Sequence, residues 1–334
     1  MARTLRSSRL PAAVIGIAAL AALALSGPPA RSAQTQARPL PVFGPDSVWR
    51  RPLGRHARID PLSALYVRRL ARTAAGGAWI NTTEYSTPVY RVPARQPGVR
   101  VTLDQPRGVN ADLRRALARV PIPAGARPAA GTDGNLVVWQ PATDTLWELW
   151  GARRARDGWH ARHGGRMTDL SQSPGYFPRN QGWGASATGL PLLGGLIRIA
   201  EVRAGRIDHA VSIALPETRA GIFAWPAQRT DGNSHDLLAL PEGTRLRLDP
   251  ELDLSRLRMP RLVRLIARAA QRYGLIVTDR AANVAFFAED PSPLGRNPYW
   301  PGPRKIFGGE YPDRLLQSFP WERLQVVRAP QRSG

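Results

Sequence analysis

A mainly β fold, sandwich-like or jelly-roll-like with a few decorating helices, is what this sequence predicts, on three observations. From Gly131 to Ala288, short runs rich in Val, Ile, Trp and Thr recur between Gly, Pro and Asp turns. Those runs do not alternate with helical periodicity, which argues against a doubly wound α/β sheet. And 32 Pro and 31 Gly punctuate a chain of 334 residues, whose length supplies ample material for a core.

The elements follow in order. Asp60-Pro61 offers an N-cap and a proline at the first helical position, with Leu62, Leu65, Tyr66 and Leu70 then on one stripe. Trp79–Asn81, Pro88–Val92 and Val99–Leu103 read as extended. Asn110 caps a second helix over Ala111–Arg119, with Leu113, Leu117 and Val120 apolar. Strands are predicted over Leu136–Gln140, Thr145–Trp150, Trp159–Arg162, Leu196–Val202, Ile207–Ala214, Gly221–Trp225 and Thr244–Leu248. Leu262, Val263, Leu265, Ile266, Ala269, Ala270 and Tyr273 then form the apolar face of an amphipathic helix that Gly274 ends. Leu275–Thr278 and Val284–Ala288 return to strand, and Asp313–Phe319 reads as a last helix. Together these make one domain over 42–330: a section with short helices (42–125), a strand-rich core (131–288) and a Pro/aromatic tail (291–330).

The basic balance is large, 47 Lys+Arg against 25 Asp+Glu, for a formal charge of +22. Lys305 is the single lysine. Phosphate-reading surfaces commonly mix both cations, so this composition resembles the codon usage of a GC-rich genome, and no nucleic-acid partner is expected. The absence of cysteine excludes disulfide scaffolds, thiolate metal sites and a cysteine nucleophile. Arg3, Arg6 and Arg9 precede the apolar run Ala12–Leu25, and Ala24-Leu25-Ser26 fits a small-x-small cleavage rule. Residues 1–26 therefore read as an export signal and 27–41 as a disordered tether. The expected location is extracellular, with membrane attachment only if the signal stays uncleaved.

The hairpin from Asp133 to Trp150 is the most informative local feature. With Gln140 opposite Thr145 across a Pro141–Asp144 turn, Trp139 opposes Leu146, Val137 opposes Glu148 and Asn135 opposes Trp150. Asp133, Asn135, Val137, Trp139, Leu146, Glu148 and Trp150 then share a face, while Val138, Trp147 and Leu149 point into the core. A glutamate between indole rings is the chemistry of a sugar-binding groove, because indoles cover the apolar faces of pyranoses and carboxylates bind their hydroxyls. An apolar wall also raises a carboxyl pKa, which suits a general acid. The bland alternative makes Glu148 a solvent-facing residue on a tryptophan-rich strand.

Other candidates are weaker. Glu201 to Asp208 reads as a hairpin turning at Ala204-Gly205, with the two carboxylates opposed and His209 either a hydrogen-bonded core residue or an acid/base group. His160, beside Trp159, suits a polar rim; with His163 it makes no metal site, since the two point to opposite faces of a strand. Gly184-Ala-Ser186-Ala-Thr-Gly189 misses the nucleophile elbow by one residue, and its small side chains instead permit close backbone packing. Arg229 and Asp231 lie in a polar loop of the kind that carries specificity. Asp231, Asn233 and His235, with Glu242 at position 12, resemble a calcium loop lacking its glycine. No cofactor or metal is expected, calcium being the one exception that the spacing admits.

Several segments also resemble, as a set, a family of secreted bacterial β-rich proteins: Phe43-Gly-Pro-Asp-Ser-Val-Trp49, Ile59-Asp-Pro-Leu-Ser-Ala64, Val120-Pro-Ile-Pro-Ala124, Leu146-Trp-Glu-Leu149, Gly189-Leu-Pro191, Glu201 to Ala210, Arg245-Leu-Arg-Leu248 and Gln271-Arg-Tyr-Gly274. The resemblance spans about 42 to 289 and implies one exported domain, without assigning a catalytic residue. The function expected from the residues is a carbohydrate-active protein. As a glycoside hydrolase it would use Glu148 as acid with Asp133 or Glu201 as partner, while His209 and His160 orient substrate or serve as a lyase-type base. Asn135, Trp139, Trp150, Arg229 and Asp231 would contact a polysaccharide or cell-wall glycan. A non-catalytic glycan-binding module and an envelope-associated structural protein are the alternatives.

Overall fold

The structure, a computed structural model, describes residues 39–105, 111–178 and 181–333. The predicted signal, residues 27–38 of the tether and the Asn110 cap lie outside them. The described chain is mainly β, with four α-helices. Its largest sheet has the strand order β1 (Ala78–Asn81), β13 (Val284–Phe287), β9 (Val211–Leu215), β12 (Leu275–Arg280), β11 (Arg245–Leu248) and β15 (Leu324–Val327). It is mixed: β1 and β13 run parallel, as do β9 and β12, and the other pairs are antiparallel. Val-Ser-Ile-Ala-Leu at β9 is buried throughout, as expected of a central strand covered on both faces.

Helices α1 (Ser63–Ala75) and α4 (Arg261–Arg272) pack on this sheet. In α4 the seven-residue apolar face stands as predicted, and the N–H groups of Tyr273 and Gly274 both donate to the Ala269 carbonyl to end it. Each large aliphatic side chain so buried stabilises the fold by about 1.5–3 kcal/mol. In α1 the start shifts. Asp60 accepts the Leu62 N–H at 2.8 Å in a turn before the helix, so helical geometry begins only at Ser63. Ser63 Oγ accepts the Val326 N–H of β15 at 2.9 Å, which rotates Tyr66, Val67, Leu70 and Ala74 inward and leaves Leu62 and Leu65 exposed.

The predicted strand Leu196–Val202 and the hairpin after it are corrected by the structure. Residues Ile199–Ala204 form helix α3. Glu201, its third residue, accepts the Arg198 N–H at 3.2 Å, and Gly205 (φ 77°) caps its C-terminal end. Ala204-Gly205 is therefore a helix end, and Glu201 faces no Asp208 across a ladder. The predicted helix over Asp313–Phe319 is a 3₁₀ turn, Leu315–Ser318.

A second sheet has the order β14 (Glu289–Asp290), β2 (Thr87–Arg91), β4 (Leu136–Gln140), β5 (Thr145–Trp150) and β8 (His163–Met167). The β4–β5 hairpin has its expected register, with Gln140 opposite Thr145, Trp139 opposite Leu146 and Val137 opposite Glu148. Strand β8 contains Gly164-Gly165, a pair that disguises it in the sequence. A Cβ at Gly165 would stand 2.7 Å from the Phe177 ring, so only a bare backbone passes there. Strands β3 (Val101–Leu103), β7 (Gly158–Ala161) and β6 (Arg153–Ala155) form a third sheet, and β10 (Ile222–Ala224) pairs with β16 (Gln331–Ser333). Helix α2 (Ala111–Ala116) packs beside β8.

Two apolar cores result. One joins the six-stranded sheet to α1, α4 and a ring cluster of Phe286, Phe319 and Trp321, with centroids 4.7–6.0 Å apart. The other lies around the β4–β5 hairpin and Trp49. Strand β12 serves both: Leu275 and Val277 enter the first core and Ile276 the second. Gly243 (φ 83°) lies beside β10, where a Cβ would sit 1.7 Å from the Ala224 carbonyl oxygen. Gly243→Ala is expected to cost about 2–4 kcal/mol from the left-handed backbone and the overlap together. The urea unfolding midpoint measures it, and a loss below about 1 kcal/mol would contradict the close approach. Among the described residues no helix is long and apolar enough to cross a membrane.

Candidate functional site

A cleft of about 640 Å³ opens where the two large sheets meet. Strands β1, β9, β12 and β13 contribute Trp79, Ser212, Asp279 and Phe287 to its lining, and the segment leading into β4 contributes Asp133 and Asn135. The loop Ser186–Leu192 also lines it. Trp79 and Tyr85 remain 41% exposed, so part of each ring is open to an apolar ligand surface. Asn135 is buried, and its Oδ1 has no hydrogen-bond partner. A buried acceptor of this kind is normally satisfied, so it is suited to a ligand donor.

Two carboxyls in this cleft are biased toward protonation. Burial raises Asp279 to about 7, and the charges of Asp231 and Asp133 add to that, while N–H groups of Arg280 (2.8 Å) and Ala187 (3.5 Å) oppose it. Burial also raises Asp133, against the Trp150 indole and Arg162, which favour its charged form. Asp279 adjoins an acidic cluster, since carboxylate oxygens of Asp231, Glu242 and Asp279 lie within 4.8 Å of one another. Glu242 is fully buried and raised to about 8, first by burial and then by Asp231. One of its oxygens accepts the Asp231 N–H at 3.2 Å and the other has no hydrogen-bond partner.

These three carboxyls are the group with metal-holding spacing among the described residues. Asp231 and Glu242 come together as the calcium-loop spacing requires, but Asn233 accepts the Thr218 N–H instead and His235 is exposed. The Arg280 guanidinium forks both oxygens of Asp231 at 3.2 and 3.3 Å, supplying a cation from the chain itself.

Glu148 and Arg229 shape the cleft from behind. Glu148 is fully buried, and its two oxygens accept the N–H groups of Ala185 (2.7 Å) and Leu192 (2.9 Å). Burial raises it to about 7 against those two bonds and the Arg229 charge. Arg229 donates to the carbonyls of Gly182, Trp183, Gly184, Ser186 and Ala187 at 2.8–3.1 Å. One carboxylate thus gathers loop N–H groups and one guanidinium gathers loop carbonyls. The small residues of 184–189 allow the loop to close this tightly.

The hairpin face expected to carry a groove is therefore covered by this loop at Glu148. Trp139 is buried, with Arg91 and Arg198 over its ring at 5.7 and 5.9 Å, and Trp150 stacks under Arg162 at 5.2 Å. Glu201 and His209 meet elsewhere. Glu201 accepts from Arg198 Nη2 (2.6 Å) and faces His209 Nε2 (3.1 Å), while His209 Nδ1 faces its neighbour's carbonyl at Ala210. Burial alone would raise Glu201, but His209 and Arg198 outweigh it and hold the carboxyl at about 2. Leu40 docks on this cluster through its carbonyl, which accepts from Arg198 at 2.9 Å. His160 lies between Asp104 (2.8 Å) and Asp157 (3.0 Å), which raise its pKa in that order.

Of the residues the sequence nominated, the cleft collects Asp133 and Asn135, with Asp231 beside it. Asp279, Trp79 and Tyr85 were missed. Trp79 and Asp279 occupy predicted strands or their ends, a position that could have marked them as lining a sheet edge. Searches of family models, of curated proteins and of solved structures return no match to this chain.

Proposed function

We propose that the chain is an exported, carbohydrate-active protein that hydrolyses a glycosidic bond in the cleft between its two large sheets, which serve as the walls of a sandwich-like scaffold. The observation that carries this reading is the pairing of two carboxyls, Asp279 and Asp133, with the exposed rings of Trp79 and Tyr85 in one cavity. Trp79 and Tyr85 receive the apolar faces of sugar rings, and Asn135 Oδ1 accepts from a hydroxyl. Asp279, raised to about 7, holds a proton in mildly acidic to neutral solution and delivers it to the glycosidic oxygen. Asp133 is raised by burial, but the Trp150 indole and Arg162 hold it nearer its charged form than burial alone would, and it acts as the opposing carboxylate. The two acids thus take different roles from different surroundings.

Reducing-end release over a panel of neutral polysaccharides tests this. Asp279→Asn and Asp133→Asn are each expected to lower turnover by about 10²–10⁴-fold while glycan binding persists. Trp79→Ala is expected to weaken binding about tenfold or more through lost ring burial. Undiminished release by Asp279→Asn would sink the assignment of the acid. Glycan binding that depends on Trp79 without any release would support the second reading, a binding module on the same rings.

A further inference from the structure

A second concavity, of about 910 Å³, shares no lining residue with the cleft. It lies among the C-terminal part of α3, the start of α4 and the segment from Arg296 to Ser318. Its lining carries seven cations, Arg203, Arg258, Arg261, Arg296, Arg304, Lys305 and Arg314, against the one carboxylate of Glu310. All seven are exposed. Elsewhere buried and half-buried arginines have work within the fold: Arg198 pairs with Glu201, Arg280 with Asp231, and Arg229 holds five carbonyls. In this concavity none of the seven forms an ion pair among the described residues. Arg261 reaches only the Arg203 carbonyl at 3.4 Å, and Lys305 donates to the Asn297 carbonyl at 2.7 Å.

Collecting like charges in one hollow stabilises nothing in the free protein, yet it focuses a positive field outward. The start of α4 adds to that field. Pro260 and Arg261 line the hollow, the first turn holds no acidic residue, and its leading N–H groups carry the positive end of the helix dipole. Guanidinium forks match oxyanions in two-point contact. A single small anion would leave most of these cations unmatched, so the complement is a chain carrying several anionic groups. Phe307 is the one aromatic ring in the lining, and it is buried, so the hollow itself holds no ring on which a flat base could stack.

We propose that this hollow binds an anionic polysaccharide through its phosphate or uronate groups. The inference is independent of the cleft, since it is read by binding without turnover. The test measures binding of the full chain to phosphomannan, polygalacturonate and neutral mannan at low and high salt. Both anionic polymers are expected to bind in a salt-sensitive manner and neutral mannan is not. Tighter binding of phosphomannan assigns phosphate as the preferred anion, tighter binding of polygalacturonate assigns uronate, and either result supports the proposal.

The double variant Arg296→Glu/Arg304→Glu is expected to weaken the anionic binding at least about tenfold and to flatten its salt dependence. Arg95→Glu/Arg100→Glu makes the same change of charge at exposed positions outside the hollow and is expected to stay within about twofold of the parent. All four side chains are exposed, so thermal melts should confirm that both variants fold. Equal losses in the two double variants would overturn the proposal in favour of diffuse net charge. Single-stranded DNA binding as tightly as either polymer would overturn it in favour of a nucleic-acid surface, and failure of both anionic polymers to bind would also overturn it.

Discussion

Arg229→Met is expected to destabilise the fold by about 3–5 kcal/mol, comparable to breaking a buried ion pair from one side. The guanidinium supplies donors to five carbonyls of a single loop, and methionine supplies none. The change also withdraws the cation that opposes the raised pKa of buried Glu148. Because the loop lines the cleft, glycan binding should fall together with the unfolding midpoint. Lysine offers a charge without the planar fork, so Arg229→Lys should recover only part of the loss. A urea midpoint for Arg229→Met within about 1 kcal/mol of the parent would show that the loop holds its shape without the clamp.

Stability is expected to peak near pH 4.5 and to fall by several kcal/mol toward pH 8, as follows from the sign of the carboxyl shifts. Glu148 and Asp279 are held at about 7 and Glu242 at about 8, all above the ordinary carboxyl range. Between the unfolded and folded pKa of such a group, the folded state binds more protons. Its stabilising contribution is therefore lost as pH rises through that window. For Glu148, from 4.5 to about 7, the contribution is about 3 kcal/mol. Glu201 acts in the opposite sense. Its carboxyl is held at about 2, so its contribution is present above about 4.5 and is lost as pH falls from there toward 2. Exposed ion-paired aspartates add little to either limb. Urea midpoints between pH 3 and 8 measure the profile, and Glu148→Gln should flatten the limb above pH 5. A midpoint that holds or climbs from pH 5 to 8 would refute this reading.

What could be read in the sequence was what short-range pattern determines. The β4–β5 hairpin was legible in bounds and register, because alternation and a Pro141-to-Asp144 turn fix both. Helix α4 was legible from its apolar face and the glycine that ends it. Helix α3 was not. It has six residues, and its geometry depends on Glu201 closing onto the Arg198 N–H and on the His209 ring, which periodicity does not register. Strand β8 was hidden by Gly164-Gly165, which read as a loop until Phe177 is seen packed against them.

The site divides in the same manner. Asp133 and Asn135 were found through the hairpin, and both line the cleft. The same alternation placed Glu148 on their face correctly, but at Glu148 that face is covered by a loop from another part of the chain. The glutamate expected in a groove is accordingly an anchor behind one. Asp279 could not be paired with Asp133 from the sequence, since only the meeting of the two sheets brings them to one cavity. Among the carboxyls and arginines, the decisive property was which were already satisfied by backbone groups, and that is a property of the folded chain.

Strand β12 gives the two halves of the molecule a shared fate. Its successive side chains belong alternately to separate apolar cores, and its end carries Asp279. Neither core can melt while the other keeps its full complement of contacts, so unfolding is expected to be cooperative across both. The cleft consequently borders the strand that the two cores share. Local opening of its carboxyl geometry is therefore expected to cost close to the global free energy of folding.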